Sequence, residues 1–369
     1  MDRLLCASCG KAYSLDDPRW GCECGGLLDI EFSARFDLSD IASREPTMWR
    51  YREAIPIRDA AGAITLGEGL TPLREYKAAG RKVLVKEEYL NPTGSFKDRG
   101  ASVVASRMKE IGINAAVEDS SGNAGAAVAA YCREAGVRCT VYVPEGVRPE
   151  KAERIRHYGA ELREVHGTRE DCAAEALKAA AGAYYASHSR NPFFLQGTKT
   201  FAYEVCEQLD YKAPDAVVLP VGNGTLLLGT YLGFKDLLAA GVVGRMPKLI
   251  GVQARACAPL FRAFHEDSEP GRIEPPRGPC GTMADGIAIA SPARGNQVLA
   301  AVRETGGDFF AVDDLEIMAA LRDVSAKGFQ IEPTAAAGVA GLARYLARGE
   351  PADTVITAFT GNNAPAARY

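Results

Sequence analysis

Six short apolar runs, separated by Ala- and Leu-rich stretches, constrain the fold of this 369-residue chain more than any other feature. The runs cover residues 83–86, 115–118, 139–143, 216–221, 249–253 and 355–359, and helical stretches such as 126–134, 173–181 and 226–240 lie between them. Alternation of this kind predicts an α/β fold, with parallel strands covered on both faces by helices. In such a sheet ligands bind at the loops that leave the carboxyl ends of the strands. Against a prior of about 150 residues per domain, the length predicts two domains. No internal repeat or low-complexity tail interrupts the pattern.

Hydrophobic residues make up 47% of the chain and charged residues 24%, with a net charge of −4. That balance supports a sizeable core and offers no polyanion-binding surface, so nucleic acid is not an expected partner. No apolar stretch approaches the ~18 residues of a membrane span, and the start Met1-Asp-Arg-Leu-Leu-Cys6 lacks a signal-peptide layout. A cytoplasmic protein without membrane contact is expected. Six of the ten cysteines (Cys132, Cys139, Cys172, Cys206, Cys257, Cys280) are scattered and read as ordinary buried thiols. The other four crowd into the first 24 residues as Cys6-x-x-Cys9 and Cys22-x-Cys24, two knuckles with the look of a small zinc ribbon. The second knuckle is one residue short of the usual spacing. Two disulfides in a secreted protein, or a ribbon without its metal, are the alternatives.

The loops carry the chemistry. Asn91-Pro-Thr-Gly-Ser-Phe-Lys97-Asp-Arg-Gly100 follows the first strand. Pro92 and Gly94 make a turn, and Ser95 stands three residues before Asp98, a capping-box arrangement that starts a helix. Lys97 then lies in the first helical turn, where the partial positive charge of the helix end disfavours an ammonium. A neutral amine is what a Schiff base requires. A surface lysine on a capped helix is the plainer reading. The second strand runs into Asp119-Ser120-Ser121-Gly122-Asn123-Ala124-Gly125, whose glycines and helix-start amides suit a carboxylate and whose Asn123 can bond a ring substituent. A simple capped turn is the alternative. The strand at 216–221 opens into Gly222-Asn223-Gly224-Thr225-Leu226, a cup for a single phosphate. It is not a P-loop, and the position of Gly229 and the Gln253 ending the next strand speak against a dinucleotide. The last strand delivers Thr360, a hydroxyl able to meet a heteroaromatic nitrogen.

Together these segments resemble the fold-type II pyridoxal-phosphate enzymes, the tryptophan synthase β-like group that includes threonine synthase, serine and threonine dehydratases and cysteine synthase. Their order along the chain matches as well. The likeness is closest to the threonine synthase family and covers nearly the whole chain. It rests on the cysteine ribbon, Met48-Trp-Arg-Tyr-Arg52, Gly67-Glu-Gly-Leu-Thr-Pro72, the lysine segment, His188-Ser-Arg-Asn-Pro192 with Gln196-Gly-Thr-Lys-Thr200, and Gly286-Ile-Ala-Ile289. The resemblance implies two three-layer domains with parallel sheets behind a zinc-ribbon-like segment at 1–32. Residues 33–90 and 200–369 would form a large coenzyme-binding domain and 91–199 a small one.

By the same resemblance, Lys97 would hold pyridoxal 5'-phosphate as a Schiff base and move protons on the substrate. Asn123 would contact the ring oxygen, and Ser120, Ser121, Gly122 and Ala124 would clasp the substrate carboxylate. Gly222, Asn223, Gly224, Thr225 and Leu226 would hold the coenzyme phosphate, and Thr360 would face the pyridine nitrogen. Asn191 and Lys199 would face substrate, with Lys199 and Arg190 as ligands for a phosphate leaving group. Cys6, Cys9, Cys22 and Cys24 would hold a structural zinc, and a homodimer is expected. The implied reaction takes O-phosphohomoserine and water to threonine and phosphate. Three departures touch the reacting end of the site, and the first of them favours an alternative, β-elimination or β-replacement on a serine-, threonine- or cysteine-type amino acid. Ala124 stands where threonine synthases usually have Thr. The phosphate loop is not Gly-Asn-Ala-Gly-Asn, and the last strand continues Gly-Asn-Asn-Ala-Pro365 in place of Gly-His-Gly-Leu-Lys. The four histidines (His157, His166, His188, His265) are too far apart to suggest a metal cluster; only His188, in the segment shared with threonine synthase, has a place near substrate, and a structural role is the plainer reading.

Overall fold

A computed structural model describes residues 2–266, 272–276, 278 and 280–362. The chain divides into two compact units, one built from residues 2–69 and 91–200 and the other from 70–90 and 201–362. Residues 363–369, which hold the end of the departure at 361–365, lie outside the described residues.

The chain opens with three short antiparallel strands, β1 (Arg3–Cys6), β2 (Ala12–Ser14) and β3 (Leu28–Glu31), in the order β2-β1-β3. Next come β4 (Leu73–Ala78) and β5 (Arg81–Lys86), then β6 (Ala115–Glu118), β7 (Arg138–Pro144), β8 (Glu161–Val165) and the two-residue β9 (Tyr184–Tyr185). The chain finishes with β10 (Ala216–Pro220), β11 (Lys248–Ala254), β12 (Asp308–Val312) and β13 (Val355–Ala358). All six expected strands form.

In the first unit the order β8-β7-β6-β9 is parallel throughout. The helix Asn123–Ala135 that follows β6 is nearly all small residues, so it packs closely, and Ala127, Val128 and Tyr131 are buried along it. Residues 33–69, expected with the large domain, group here instead. Their polar groups explain why. Trp49 Nε1 donates to Ser102 Oγ at 2.9 Å and to Glu68 Oε1 at 3.1 Å, and Ser102 Oγ donates to Ile64 O at 2.7 Å. The hydroxyl of Tyr131 completes this buried network at Glu68 Oε2, 2.7 Å away. Ordinary hydrogen bonds are each worth about 0.5–1.5 kcal/mol, so the Ser102 bonds hold the 33–69 segment to the helix Lys97–Glu110, and the Tyr131 bond holds it to the helix Asn123–Ala135, by more than apolar contact. The ribbon is fastened to the same unit: Arg107 donates to Leu15 O at 2.6 Å, and Trp20 meets Tyr185 edge-on at 5.0 Å.

The second unit is a six-stranded sheet in the order β12-β11-β10-β13-β5-β4. Every pairing is parallel except β4 with β5, which makes an antiparallel edge. The central strand β10 is buried along its whole length, as strands covered on both faces must be. A buried charge at the end of β5 is paired: Lys86 Nζ lies 2.8 Å from Glu204, with neither side chain exposed, and donates to Gln208 Oε1 at 2.9 Å. Cys257 and Cys280, expected as thiols, are joined in a disulfide across 23 residues of sequence; separation alone carried no hint that the fold returns one to the other. Among the described residues, no helix is long and apolar enough to cross a membrane.

Candidate functional site

Lys97 is the first residue of its helix and is half-buried. The loop before it is fixed residue by residue. Asn91 Oδ1 accepts from Gly69 N at 3.0 Å, and Gly94 N donates to Asn91 O at 2.7 Å in the turn. The expected capping box forms differently. Ser95 Oγ accepts from Lys97 N at 3.3 Å, while the Asp98 carboxylate turns away to Thr93, accepting from its N at 2.6 Å and from its hydroxyl. Asp98 thus ties the start of the helix back across the loop, because burial leaves its carboxyl no water. That burial pushes Asp98 up to about 7 against the lowering effect of the Thr93 bonds. Phe96 and Phe194 flank the amine, with ring centroids 4.8 and 5.8 Å from Lys97 Nζ.

The loop after β6 lies in the same unit. Ser121, Gly122 and Asn123 are half-buried at the start of the helix Asn123–Ala135, and Ser120 and Ala124 are buried behind them. Gly122 is the N-cap and no side chain caps this helix, so its first amides are the kind of anion-binding group expected here. Ser120 Oγ accepts from Gly122 N at 3.3 Å, and Asn123 Oδ1 accepts from Arg154 at 3.1 Å.

At the carboxyl end of β6, Glu118 Oε1 meets His188 Nδ1 at 2.7 Å, both side chains buried. Burial raises Glu118 well above the usual carboxylate range; Asp119 adds to this and Lys97 opposes it. Burial, then Lys97 and Arg169, hold His188 well below the ordinary imidazole value. Both shifts favour the same neutral pair, a carboxylic acid hydrogen-bonded to an imidazole. Asp119, also raised by burial, brings its ligand atom within 4.8 Å of those two. Glu118 and Asp119 were unassigned in the sequence, although two acids at the carboxyl end of an apolar strand are a signal in themselves.

Two further expected substrate residues are buried as well. Asn191 is 1% exposed, its Oδ1 capping the helix Pro192–Thr198 at Phe193 N (3.1 Å) and its Nδ2 donating to Tyr185 O (3.0 Å). Both ends of the amide are engaged inside the unit. Lys199 is 2% exposed, with Nζ 5.5 Å from the Phe32 ring.

In the second unit, β10 opens into Gly222, Asn223 and Gly224 before the helix Thr225–Ala239. Gly224 caps that helix in the left-handed region at φ +79°, which admits glycine without strain. A Cβ at Gly222 would come within 2.9 Å of Gly286 O, so the backbone here runs without room for a side chain. Thr225 and Leu226 are buried and Asn223 half-buried, which leaves amides and one hydroxyl at a helix start. Beyond β13, Thr360 is 2% exposed and its Oγ1 has no hydrogen-bond partner among the described residues.

Comparison with known proteins shows the family of the chain. The family profile for pyridoxal-phosphate dependent enzymes matches residues 64–361. The chain belongs to the pyridoxal-phosphate dependent enzymes. It is threonine synthase-like within them: it is 37% identical to the threonine synthase of Methanocaldococcus jannaschii, over 93% of this chain and 87% of that one. It is 35% identical to the threonine synthase of Methanosarcina acetivorans, over 98% and 92%. Among solved structures, a T.th. threonine deaminase matches with a TM-score of 0.68 and 28% identity, covering 80% of this chain and 92% of that one. A serine racemase from maize matches the fold with a TM-score of 0.69 at 20% identity, covering 80% and 88%. The fold is therefore that of a fold-type II pyridoxal-phosphate enzyme, and the chain is a pyridoxal-phosphate-dependent carbon–oxygen lyase. The residues fit the coenzyme. The orphaned Thr360 hydroxyl lacks what a pyridine nitrogen supplies, and the Gly222–Gly224 backbone suits a phosphate.

Proposed function

We propose that this enzyme converts O-phosphohomoserine and water to threonine and phosphate. The observation that carries the reading is the 37% identity, spread over 93% of the chain, to a threonine synthase. In this reading Lys97 binds pyridoxal 5'-phosphate through its amine. The coenzyme supplies an electron sink for negative charge at the carbon that bears the amino group. Asn123 bonds the ring oxygen, and the amides and hydroxyls of Ser120, Ser121, Gly122 and Ala124 hold the substrate carboxylate. Gly222, Asn223, Gly224, Thr225 and Leu226 hold the coenzyme phosphate, and Thr360 faces the ring nitrogen. A neutral hydroxyl there leaves that nitrogen less protonated than a carboxylate would, which moderates the sink and suits elimination and replacement. The Lys97 amine would also move protons at the α and β carbons of the substrate. A half-buried amine flanked by Phe96 and Phe194 is suited to accept a proton from carbon, since little water competes for it.

Ala124 favours a second reading, β-elimination or β-replacement on a serine-, threonine- or cysteine-type amino acid. A panel of amino acids and O-phospho amino acids separates the two. Phosphate release from O-phosphohomoserine together with threonine is the expected result. A 2-oxo acid plus ammonia from serine or threonine, or a β-substituted product, with no phosphate released, would establish the second.

The same reading places this enzyme in the cytoplasm as a homodimer and puts a structural zinc on Cys6, Cys9, Cys22 and Cys24. None of the four is in a disulfide, and their sulfur atoms lie within 4.8 Å of one another. Cys6 and Cys24 are 3.6 Å apart and Cys9 and Cys22 3.7 Å, close to the ~3.8 Å edge of a tetrahedron with bonds of about 2.3 Å. Metal analysis is expected to find one zinc per chain, lost in Cys9→Ser. Because a structural zinc is bound only by the folded ribbon, a strong chelator should lower the melting temperature. A metal-free preparation whose melting temperature ignores added zinc would remove the assignment.

A further inference from the structure

Arg154 lies on the helix Pro149–His157 and is half-buried. Its guanidinium makes two bonds to two different loops. One nitrogen donates to Asn123 Oδ1 at 3.1 Å, and the other donates to the carbonyl oxygen of Thr93. Asn123 begins the helix after β6, and Thr93 stands four residues before Lys97, on the loop that Asp98 also braces. One side chain therefore spans the asparagine loop and the lysine loop.

The chemistry of the pair fixes an orientation. A guanidinium carries five N–H donors and no acceptor, so the atom of Asn123 that faces it must be the amide oxygen. Were the amide reversed, its NH2 group would oppose an N–H of Arg154, and a donor would lose its bond. The other end of the amide, Nδ2, is a donor only. Asn123 therefore keeps the same group, an N–H, on the side away from Arg154.

We propose that Arg154 is a positioning residue that locks the amide of Asn123 so that an N–H, and never the carbonyl, meets the ring oxygen of the coenzyme. This rests on the reading that Asn123 contacts that oxygen. The lock matters because the ring oxygen carries negative charge in the coenzyme form that absorbs visible light. An N–H stabilises that charge, whereas a carbonyl oxygen would repel it. The second bond, to Thr93 O, fixes the guanidinium in the position from which it holds Asn123. An arginine is suited to this role, because a rigid fork reaches two acceptors that a single ammonium cannot hold in the same geometry.

The test is the absorbance spectrum and coenzyme affinity of the substrate-free holoenzyme, measured for Arg154→Gln, Arg154→Lys, Asn123→Ala and the double variant Arg154→Gln/Asn123→Ala. Both Arg154→Gln and Asn123→Ala are expected to lose severalfold of the visible band to the near-ultraviolet band and to bind coenzyme about tenfold more weakly, roughly the worth of one charge-stabilising hydrogen bond. The double variant is expected to be no worse than Asn123→Ala, because the arginine acts through the asparagine. Arg154→Lys keeps the charge and should resemble Arg154→Gln, so it carries the test if the glutamine variant fails to fold. A parental spectrum in Arg154→Gln or Arg154→Lys, with Asn123→Ala shifted, overturns the lock alone, as does an additive double variant. A parental spectrum in Asn123→Ala overturns the contact to the ring oxygen and the lock with it.

Discussion

Lys97→Ala is expected to lose at least about a thousandfold in turnover, and with it the visible absorbance of a covalently held coenzyme, while melting close to the parent. The two halves of that result have different causes. Turnover falls because no other lysine amine is placed at the start of this helix, and the same nitrogen both holds the coenzyme and moves protons. Stability changes by less than about 1 kcal/mol because the side chain is half-buried and the bonds that organise its loop belong to its neighbours. Asn91, Ser95 and the Thr93–Asp98 pair all stay in place when the lysine is shortened. Steady-state rates, the coenzyme spectrum and a thermal melt on one preparation check it. A variant that keeps a tenth of the parental rate would end the assignment of Lys97, and a variant that fails to fold would show the loop to depend on the lysine itself.

Much of the fold could be read from the sequence because buried parallel strands are short continuous apolar runs, and each of the six expected runs became a strand. One strand that went unseen, Asp308–Val312, carries that mark and was still missed; three others lack it. Glu161–Val165 is mostly polar and partly exposed, Tyr184–Tyr185 is two residues long, and Leu73–Ala78 is an edge with exposed charges. Their existence depends on a neighbouring strand rather than on their own composition. The site divides in the same way. Lys97, the Ser120–Asn123 loop and the Gly222–Leu226 loop follow local rules of turns and helix starts, so residue type and position announce them. Glu118 with His188, 70 residues apart, and Arg154 with Asn123, 31 apart, are products of tertiary structure. Asn191, a polar residue in a suggestive motif, also has a tertiary setting no local rule announces: its amide caps a helix and bonds Tyr185.

The largest effect on stability is expected from one added methyl group, in Gly197→Ala. Gly197 lies in the helix Pro192–Thr198, where a Cβ would stand 1.9 Å from the carbonyl oxygen of Arg99 and 2.7 Å from Gly100 Cα. Those atoms are backbone of the helix that Lys97 begins, so no rotamer change can relieve the clash. The helices must part by more than an ångström, disturbing the 3.0 Å bond from Arg99 to Thr200 Oγ1 at a fully buried arginine. Overpacking costs about 1–3 kcal/mol where side chains can yield, and a rigid backbone contact belongs at the upper end or above. At about 2–4 °C per kcal/mol for a unit of this size, a fall of roughly 6–12 °C in melting temperature follows. Gly182→Ala is the control, since a Cβ there meets nothing within 4 Å, and it should melt within about 2 °C of the parent. Activity in Gly197→Ala should fall even below its melting temperature, because the displaced helix carries Lys97 at its first residue. If the two alanine variants melt alike, the close crossing of these helices is wrong, and with it the rigid seat on which the lysine depends.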